Sequence, residues 1–265
     1  MSGTYIQLSY FDLMIASGLL LVAGGLSIGL KLGLEKSLGI AAVRMVVQLS
    51  LIGMVLKVLF QTTSPWWTAL AALFMMVLAG REAMARQTLK LRGVWSLGIA
   101  TTSLILAGSI VTILALTTAI RPEPWYDPRF AIPLLGMVLG NTLNGVAVGM
   151  DRLSATLKRE KDAVEARLAL GHPRAIAVRP YVHEAMRAGL IHIINAMSAA
   201  GLISLPGMMT GQILAGVDPT EAVKYQILIM FLIAGSTSLG ALCAVLALSK
   251  RLGDDRDRLR LDRFQ

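Results

Sequence analysis

Apolar residues run along this chain in long uninterrupted blocks separated by short polar stretches, and the lengths of those blocks set the first expectation. A bilayer core about 30 Å thick takes about 20 apolar residues wound as an α-helix. Six blocks meet or approach that length: Phe11–Leu30, Gly39–Phe60, Val94–Ile120, Phe130–Met150, Ala188–Leu214 and Tyr225–Leu248. A seventh, Pro65–Gly80, is shorter. Ser64 suits its N-cap, Pro65 its first turn, and the helix can run on into Arg81–Gln87. The pattern predicts an all-α polytopic membrane protein of seven transmembrane helices, a single domain over residues 1–265. The start, Met1 to Asp12, has no Lys or Arg, so the first block reads as a permanent span and not a cleaved leader.

Positively charged loops stay in the cytoplasm, which orients the spans. The segments after the first, third, fifth and seventh blocks carry 20 of the 25 Lys and Arg residues. The predicted topology therefore has the N-terminus outside and the C-terminus in the cytoplasm. Aromatic residues favour the headgroup boundary, and Tyr5, Tyr10, Phe11, Phe60, Trp66, Trp67, Trp125, Tyr126, Phe130 and Tyr225 all fall at the predicted outer ends. Arg121–Arg129, with Pro122, Pro124 and Pro128, should form a compact irregular cap there. The tail from Asp254 to Arg263 alternates acid and base and reads as a solvated helix end or a frayed terminus.

Composition narrows the class. Hydrophobic residues make up 55% before the 25 glycines are added, and charged residues only 15%, against about 25% in an ordinary soluble domain. The net charge of +9 flanks apolar runs instead of covering a soluble face, so it signals topology and not nucleic acid. One cysteine, Cys243, excludes an intramolecular disulfide framework and reads as a small packing residue.

Small residues recur at four- and five-residue spacing, as Gly136, Gly140, Gly145 and Gly149 in the fifth span and Gly25, Gly29 and Gly33 in the first. Such stripes serve internal helix packing or a dimer interface, and spacing alone does not decide between them. Arg44 and Lys57 can snorkel to the two ends of the second span. Alternatively, Arg44 and Gln48, four apart, line a cavity with Asn141 and Asn144. Asp12 is the only acid inside the predicted spans. Ion-coupled carriers use buried acids as relays, so ion-coupled transport is disfavoured. The chain also lacks a Gly-x-x-x-x-Gly-Lys-Ser/Thr phosphate loop, and uphill transport would need energy from another molecule.

The longest polar segment, 151–187, is where that energy would enter. Leu153, Leu157, Val164 and Leu168 predict an amphipathic helix continuing the fifth span and stopping at Gly171-His172-Pro173. A second short piece is expected over Pro180–Ala185. Glu165-Ala166-Arg167-Leu168-Ala169-Leu170-Gly171 resembles the Glu-Ala-Ala-x-x-x-Gly cytoplasmic loop of ABC-transporter permeases, with Arg167 departing at the third place.

The sixth span reads Gly201-Leu202-Ile203-Ser204-Leu205-Pro206-Gly207-Met208-Met209-Thr210-Gly211, followed by Ala215-Gly216-Val217-Asp218-Pro219 and Lys224-Tyr225-Gln226-Ile227. These strings resemble the FetB-type permeases of bacterial iron-export ABC transporters, relatives of plant aluminium-tolerance half-transporters. Arg44 with Gln48, Gly140-Asn141, Glu165 with Leu170-Gly171, and Arg187-Ala188 also match that family's pattern. The resemblance implies a permease subunit of the bacterial inner membrane that exports iron or another metal, with a separate cytoplasmic subunit binding ATP and Mg. No cofactor is expected in this chain, and two copies are expected to pair. It also leaves a nucleotide sugar as an alternative cargo. Coupling residues on this reading are Glu165, Ala166, Leu170, Gly171, Pro180 and Arg187.

Candidate pathway residues are Arg44, Gln48, Asn141, Asn144, His192, Ser204, Pro206, Gly207, Met208 and Met209. Pro206 removes a ladder hydrogen bond and Gly207 tolerates unusual angles, so a kink or break is expected there. Met208 and Met209 are soft donors, better suited to copper(I) than iron, and serve equally as packing residues. His192 has two readings, a ligand or proton carrier, or a partner of Asn195 or Ser198. No metal ligand set is assigned. A passive channel or ion-coupled carrier, and an intramembrane enzyme relying on His192, are the rival classes.

Overall fold

The computed structural model describes residues 9–62, 64–254 and 256–265; Tyr5 lies outside them. The chain enters its first helix through a capping box. Ser9 Oγ accepts the Phe11 N–H at 3.2 Å and the Asp12 carboxylate accepts the Ser9 N–H at 2.8 Å. Asp12 is therefore spent on a helix cap. From there run α1 (Tyr10–Gly29), α2 (Glu35–Thr62), α3 (Pro65–Ala85), α4 (Trp95–Leu114), α5 (Pro128–Arg159), α6 (Lys161–Ala169), α7 (Arg174–Ala199), α8 (Gly207–Leu214) and α9 (Pro219–Arg251). Residues Ala115–Ile120 prolong α4 as a π-helical turn, and Leu261–Arg263 form a short 3₁₀ turn.

Six of these helices, α1 to α5 and α9, are long and apolar enough to cross a membrane. The sixth apolar block differs from the expected continuous span. It divides into α7 and α8, joined by the non-helical stretch 200–206. Pro206 sits at the N-cap of α8 and Gly207 opens it, so the expected break exists but covers most of two turns. Three further boundaries depart from the pattern. Pro180–Ala185 is not a separate piece but part of α7, which carries Pro180 inside it. The fifth span's amphipathic extension stops at Glu160, whose φ of −98° and ψ of 24° separate α5 from α6. Ser64 occupies the N-cap of α3 without a side-chain bond; Pro65 alone sets that first turn.

α5 is the hub. It packs against α3, α4, α7 and α9, and burying Val138, Val146, Met150, Leu153 and Leu157 completely makes it the centre of the core. Close approach comes from glycine. A Cβ on Gly189 of α7 would lie 2.8 Å from the Gly145 carbonyl oxygen of α5, and one on Gly149 would lie 3.0 Å from Val245 Cγ2 of α9. Gly145 and Gly149 therefore serve internal packing, whereas Gly25, Gly29, Gly33 and Gly140 have open space beside them. The buried hydroxyls of Thr142 and Ser236 join α5 to α9 at 2.8 Å. Cys243 is half-buried and free. At the edge, α1 and α2 bury only Ser27 and Leu59 among their residues.

The two ends of the bundle differ in chemistry. At one end Trp66, Trp67, Trp125 and Phe130 are exposed, and Trp125 meets Tyr126 edge-on with centroids 6.0 Å apart. We call this the aromatic end and the opposite one the basic end. At the basic end the tail is folded, not frayed. The Arg92 N–H donates to the Arg263 carbonyl at 2.8 Å, the Gln265 N–H to the Lys90 carbonyl at 2.8 Å, and the Arg260 N–H to the Leu252 carbonyl at 2.8 Å. Phe264 is buried beside Leu91 in the core. Asp254, half-buried, and Asp262, exposed, are ion-paired with Arg258 and Arg260. The tail's registry comes from backbone bonds and Phe264, which an alternating acid–base pattern does not advertise.

Candidate functional site

Three features converge on α7. The first is a polar cluster at the basic end that ties α2, α3 and α5 together. Arg44 Nη2 of α2 donates to Glu82 Oε2 of α3 at 2.9 Å. Arg86 approaches the other oxygen of Glu82 at 3.5 Å and donates to Asn144 Oδ1 of α5 at 2.5 Å. Just beyond, the Thr88 N–H donates to the Asp151 carboxylate at 2.7 Å, and the Thr88 hydroxyl bonds the same oxygen. Arg152 of α5 pairs with Glu184 of α7 at 2.6 Å.

This cluster revises the sequence reading. Arg44 and Asn144 do belong together, but through Glu82 and Arg86. Because α3 runs to Ala85, Glu82 lies inside a membrane-length helix, as Glu35, Asp151 and Glu221 do near the ends of α2, α5 and α9, and Asp12 does not stand alone. Asn141 is not part of the cluster; its Nδ2 donates to the Met137 carbonyl of its own helix at 2.9 Å. Gln48 lies with Arg44, Val43 and Val47 along an open groove on α2. The clue missed in the sequence was the four-residue spacing of Glu82 and Arg86, which places both on one helix face. Each pair is partly exposed, so its contribution to stability is about 0–1 kcal/mol. Its interest lies in joining three helices. A Glu82→Gln variant should therefore fold with little change in unfolding temperature. It should loosen α2 from α3, read as faster cross-linking or exchange between cysteines introduced at the basic ends of the two helices. Unaltered exchange would dismiss the cluster as a latch.

The second feature is the discontinuity between α7 and α8. The Ile203 and Ser204 N–H groups both donate to the Ala199 carbonyl, at 3.0 and 3.1 Å, and the Gly201 N–H donates to the Ser204 carbonyl at 2.9 Å. Gly201 reaches φ +84° to make this turn. Leu202 and Ile203 remain 90% and 87% exposed, and Ser204 is exposed with them. Non-helical backbone at membrane depth persists only where protein covers it or it lines a cavity. Met208 packs beside the core cluster of Val111, Ile193 and Ile229, and Met209 is half-buried. His192 is exposed on α7 with no hydrogen bond among the described residues. Its expected partner Ser198 donates instead to the Ile194 carbonyl at 3.0 Å.

The third feature is the exposed surface where α7 begins. α6 is anchored by fully buried Val164. Arg167, the departure from the Glu-Ala-Ala pattern, donates to the Ala177 carbonyl at 3.2 Å and lies 5.8 Å over the Tyr181 ring. It clamps α6 onto α7. Glu165 pairs with Lys161 at 3.5 Å, both exposed, and Ala166 and Leu170 face solvent. Gly171 turns the chain at φ +86°. Beyond the turn, Arg167, His172, Ile176, Arg179, Pro180 and His183 line an open groove of about 490 Å³. Arg187, the last of the expected coupling residues, is exposed farther along α7.

A cavity of about 550 Å³ lies elsewhere. Met76, Ile105, Leu116, Trp125 and Ile132 line it between α3, α4 and α5 near the aromatic end, and no expected pathway residue does. Its walls offer no charged group, so it suits apolar matter and not a free ion.

Six long apolar helices, with the broken pair α7 and α8 beside them, make this a multi-pass membrane protein with a solvent-facing groove at its basic end. The chain belongs to the family described as "Uncharacterised protein family (UPF0014)", whose model matches residues 10–252. It is 35% identical over 259 residues to a UPF0014 membrane protein of Synechocystis sp., covering 98% of this chain and 99% of that one. It is 32% identical over 248 residues to the "Probable iron export permease protein FetB" of Escherichia coli, covering 94% and 93% of the two chains. It is also 35% identical over 222 residues to "Protein ALUMINUM SENSITIVE 3" of Arabidopsis thaliana, covering 84% and 79%. No solved structure matches the chain significantly.

Proposed function

We propose that this chain is the membrane permease of an ATP-driven ABC exporter and works as a pair of copies with a separate cytoplasmic ATP-binding subunit. One observation carries the reading. A single 26-residue helix, α7, starts at the exposed Gly171-His172-Pro173 turn and ends at the discontinuity 200–206. A push at the turn is delivered along this one continuous helix to the place where backbone leaves the helical ladder. On this reading the basic end is cytoplasmic, in keeping with the excess of Lys and Arg. The ATPase engages Glu165, Ala166, Leu170, Gly171 and Pro180. Arg44, Glu82, Arg86 and Asn144 form the inner gate. Ser204 and the carbonyls of the break meet the cargo, as broken helices do in other transporters.

The second copy covers Leu202 and Ile203 together with the bare faces of α1 and α2. Iron is the first cargo to test, because the Escherichia coli relative is named for iron export and hydroxyl and carbonyl oxygens suit a hard cation. A phosphorylated solute such as a nucleotide sugar is the second, favoured by the half-exposed Arg44 and Arg86 guanidiniums. The test is co-expression with a candidate ATP-binding subunit. The two should co-purify, and hydrolysis by the complex should rise with the exported species and fall when Leu170→Asp disrupts the exposed groove edge. Independent purification of the two chains, with hydrolysis indifferent to the permease, would defeat the reading.

A further inference from the structure

A second built site lies at the basic end, between α4 and α9 and away from the α7 rod. We infer that it binds the headgroup of an anionic phospholipid. A cavity of about 500 Å³ opens there, lined by Trp95, Ile99, Ala247, Lys250, Arg251 and Arg263 among others. A smaller cavity of about 130 Å³ adjoins it and shares Trp95, Arg251 and Arg263 while adding Arg92. The lining is graded along the helix axes. Ile99 and Ala247 lie one turn inside the bundle. Trp95, the first residue of α4, and Arg251, the last of α9, form the next level, and Arg263 of the tail closes it below. That order, from hydrocarbon to aromatic to guanidinium, matches the order of an acyl chain, a glycerol backbone and a phosphate crossing the boundary.

The charges in the cavity are arranged for an anion. The Arg251 guanidinium stacks 4.0 Å over the Trp95 ring, which fixes its plane. Its Nε is buried with no hydrogen-bond partner among the described residues. Arg263 Nη1 donates to the Gly253 carbonyl at 3.0 Å, and Arg92 Nε to the Phe264 carbonyl at 3.1 Å. Both are thereby anchored by backbone while keeping their charge. Among the described residues, the two acids on the lining are already ion-paired, Asp254 with Arg258 at 2.7 Å and Asp262 with Arg260 at 2.8 Å. Bonds donated by the Arg258 backbone and side chain hold the Asp254 carboxyl below its ordinary range, and the Arg260 side chain holds that of Asp262 down to about 2. Basic pockets between transmembrane helices at the cytoplasmic boundary take anionic lipid headgroups. The site rests on this cavity and not on transport; only its leaflet follows from the proposed orientation.

The test uses the full chain in nanodiscs of phosphatidylcholine doped with phosphatidylglycerol, with retained lipid counted by native mass spectrometry after transfer to mild detergent. Wild type should keep phosphatidylglycerol over phosphatidylcholine. Lys250→Gln and Arg251→Gln should each reduce that retention by about fivefold, and Lys158→Gln, an equal loss of charge on the exposed end of α5, should not. Lys250 is exposed and its ammonium has no hydrogen bond or ion pair among the described residues, so its variant reads the site even where Arg251→Gln disturbs the fold. Excess inorganic phosphate or glycerol phosphate should fail to displace the lipid. Displacement by either would make the site one for free anions and overturn the proposal. So would equal retention by wild type and the Lys250 variant, or equal loss in the Lys158 control.

Discussion

Replacing Gly189 with leucine is expected to lower the unfolding temperature of the purified protein by roughly 5–10 °C. The reason is the narrow seam between α5 and α7. Even a methyl on Gly189 meets the Gly145 carbonyl oxygen at 2.8 Å and the Gly149 backbone at 3.5 Å. Those obstacles are main chain and cannot rotate aside. Overpacking of this kind costs about 1–3 kcal/mol or more. In a bilayer the lost contacts are not offset by any hydrophobic drive between helices, because lipid tails are as apolar as leucine. Thermal unfolding of the detergent-solubilised chain, followed by loss of monodispersity, reads the shift. Gly140→Leu is the matched control. It sits on α5, the helix that Gly189 packs against, with nothing within 4 Å of its Cβ position and should leave the unfolding temperature unchanged. Equal shifts in the two variants would deny that the seam holds the fold.

Gly171→Pro should separate ATP hydrolysis from export in the assembled transporter, lowering export by about tenfold while hydrolysis by the complex persists. Gly171 holds φ at +86°, a value proline, locked near −65°, does not reach. Its N–H also donates to the Leu168 carbonyl at 2.9 Å, and proline has no N–H. The substitution therefore remakes the turn between α6 and α7 without touching the buried faces of either helix. Gly171→Ala retains the N–H and strains only the backbone, by about 1–2 kcal/mol, so it should keep most of the export. Measured side by side, the two variants distinguish a turn that transmits displacement from one that merely connects. Export by the proline variant at the wild-type rate would remove α7 from the coupling path.

How much of this was legible in the sequence follows from the physics of each signal. Six of the seven expected span positions, the basic and aromatic ends and the break at Pro206-Gly207 were readable because they depend on block composition and local backbone chemistry. Side-chain partners were not. Glu82 was overlooked although the helix was expected to run on past Gly80, because its bond to Arg44 crosses from α3 to α2 and no spacing within one helix records it. The role of Arg167 was hidden for the same reason. As a departure from a motif it looked like a weakness, whereas its bond to the Ala177 carbonyl depends on a fold-back of α6 that no spacing records. The glycine stripes looked equivalent along the chain. Gly145 and Gly149 proved internal and Gly25 and Gly29 open, because helix neighbours and not residue spacing decide which stripe is covered. The docked tail was misread because backbone pairing between Arg92 and Arg263 joins residues far apart in sequence.

The central claim is that this chain moves its cargo only when a nucleotide-hydrolysing partner drives it from the basic end. The most direct measurement is cargo uptake into inverted membrane vesicles holding the permease with or without that partner, in the presence of ATP or a non-hydrolysable analogue. The account predicts accumulation against a gradient only with partner and hydrolysable ATP together. Accumulation by the permease alone, or with the analogue in place of ATP, would contradict it.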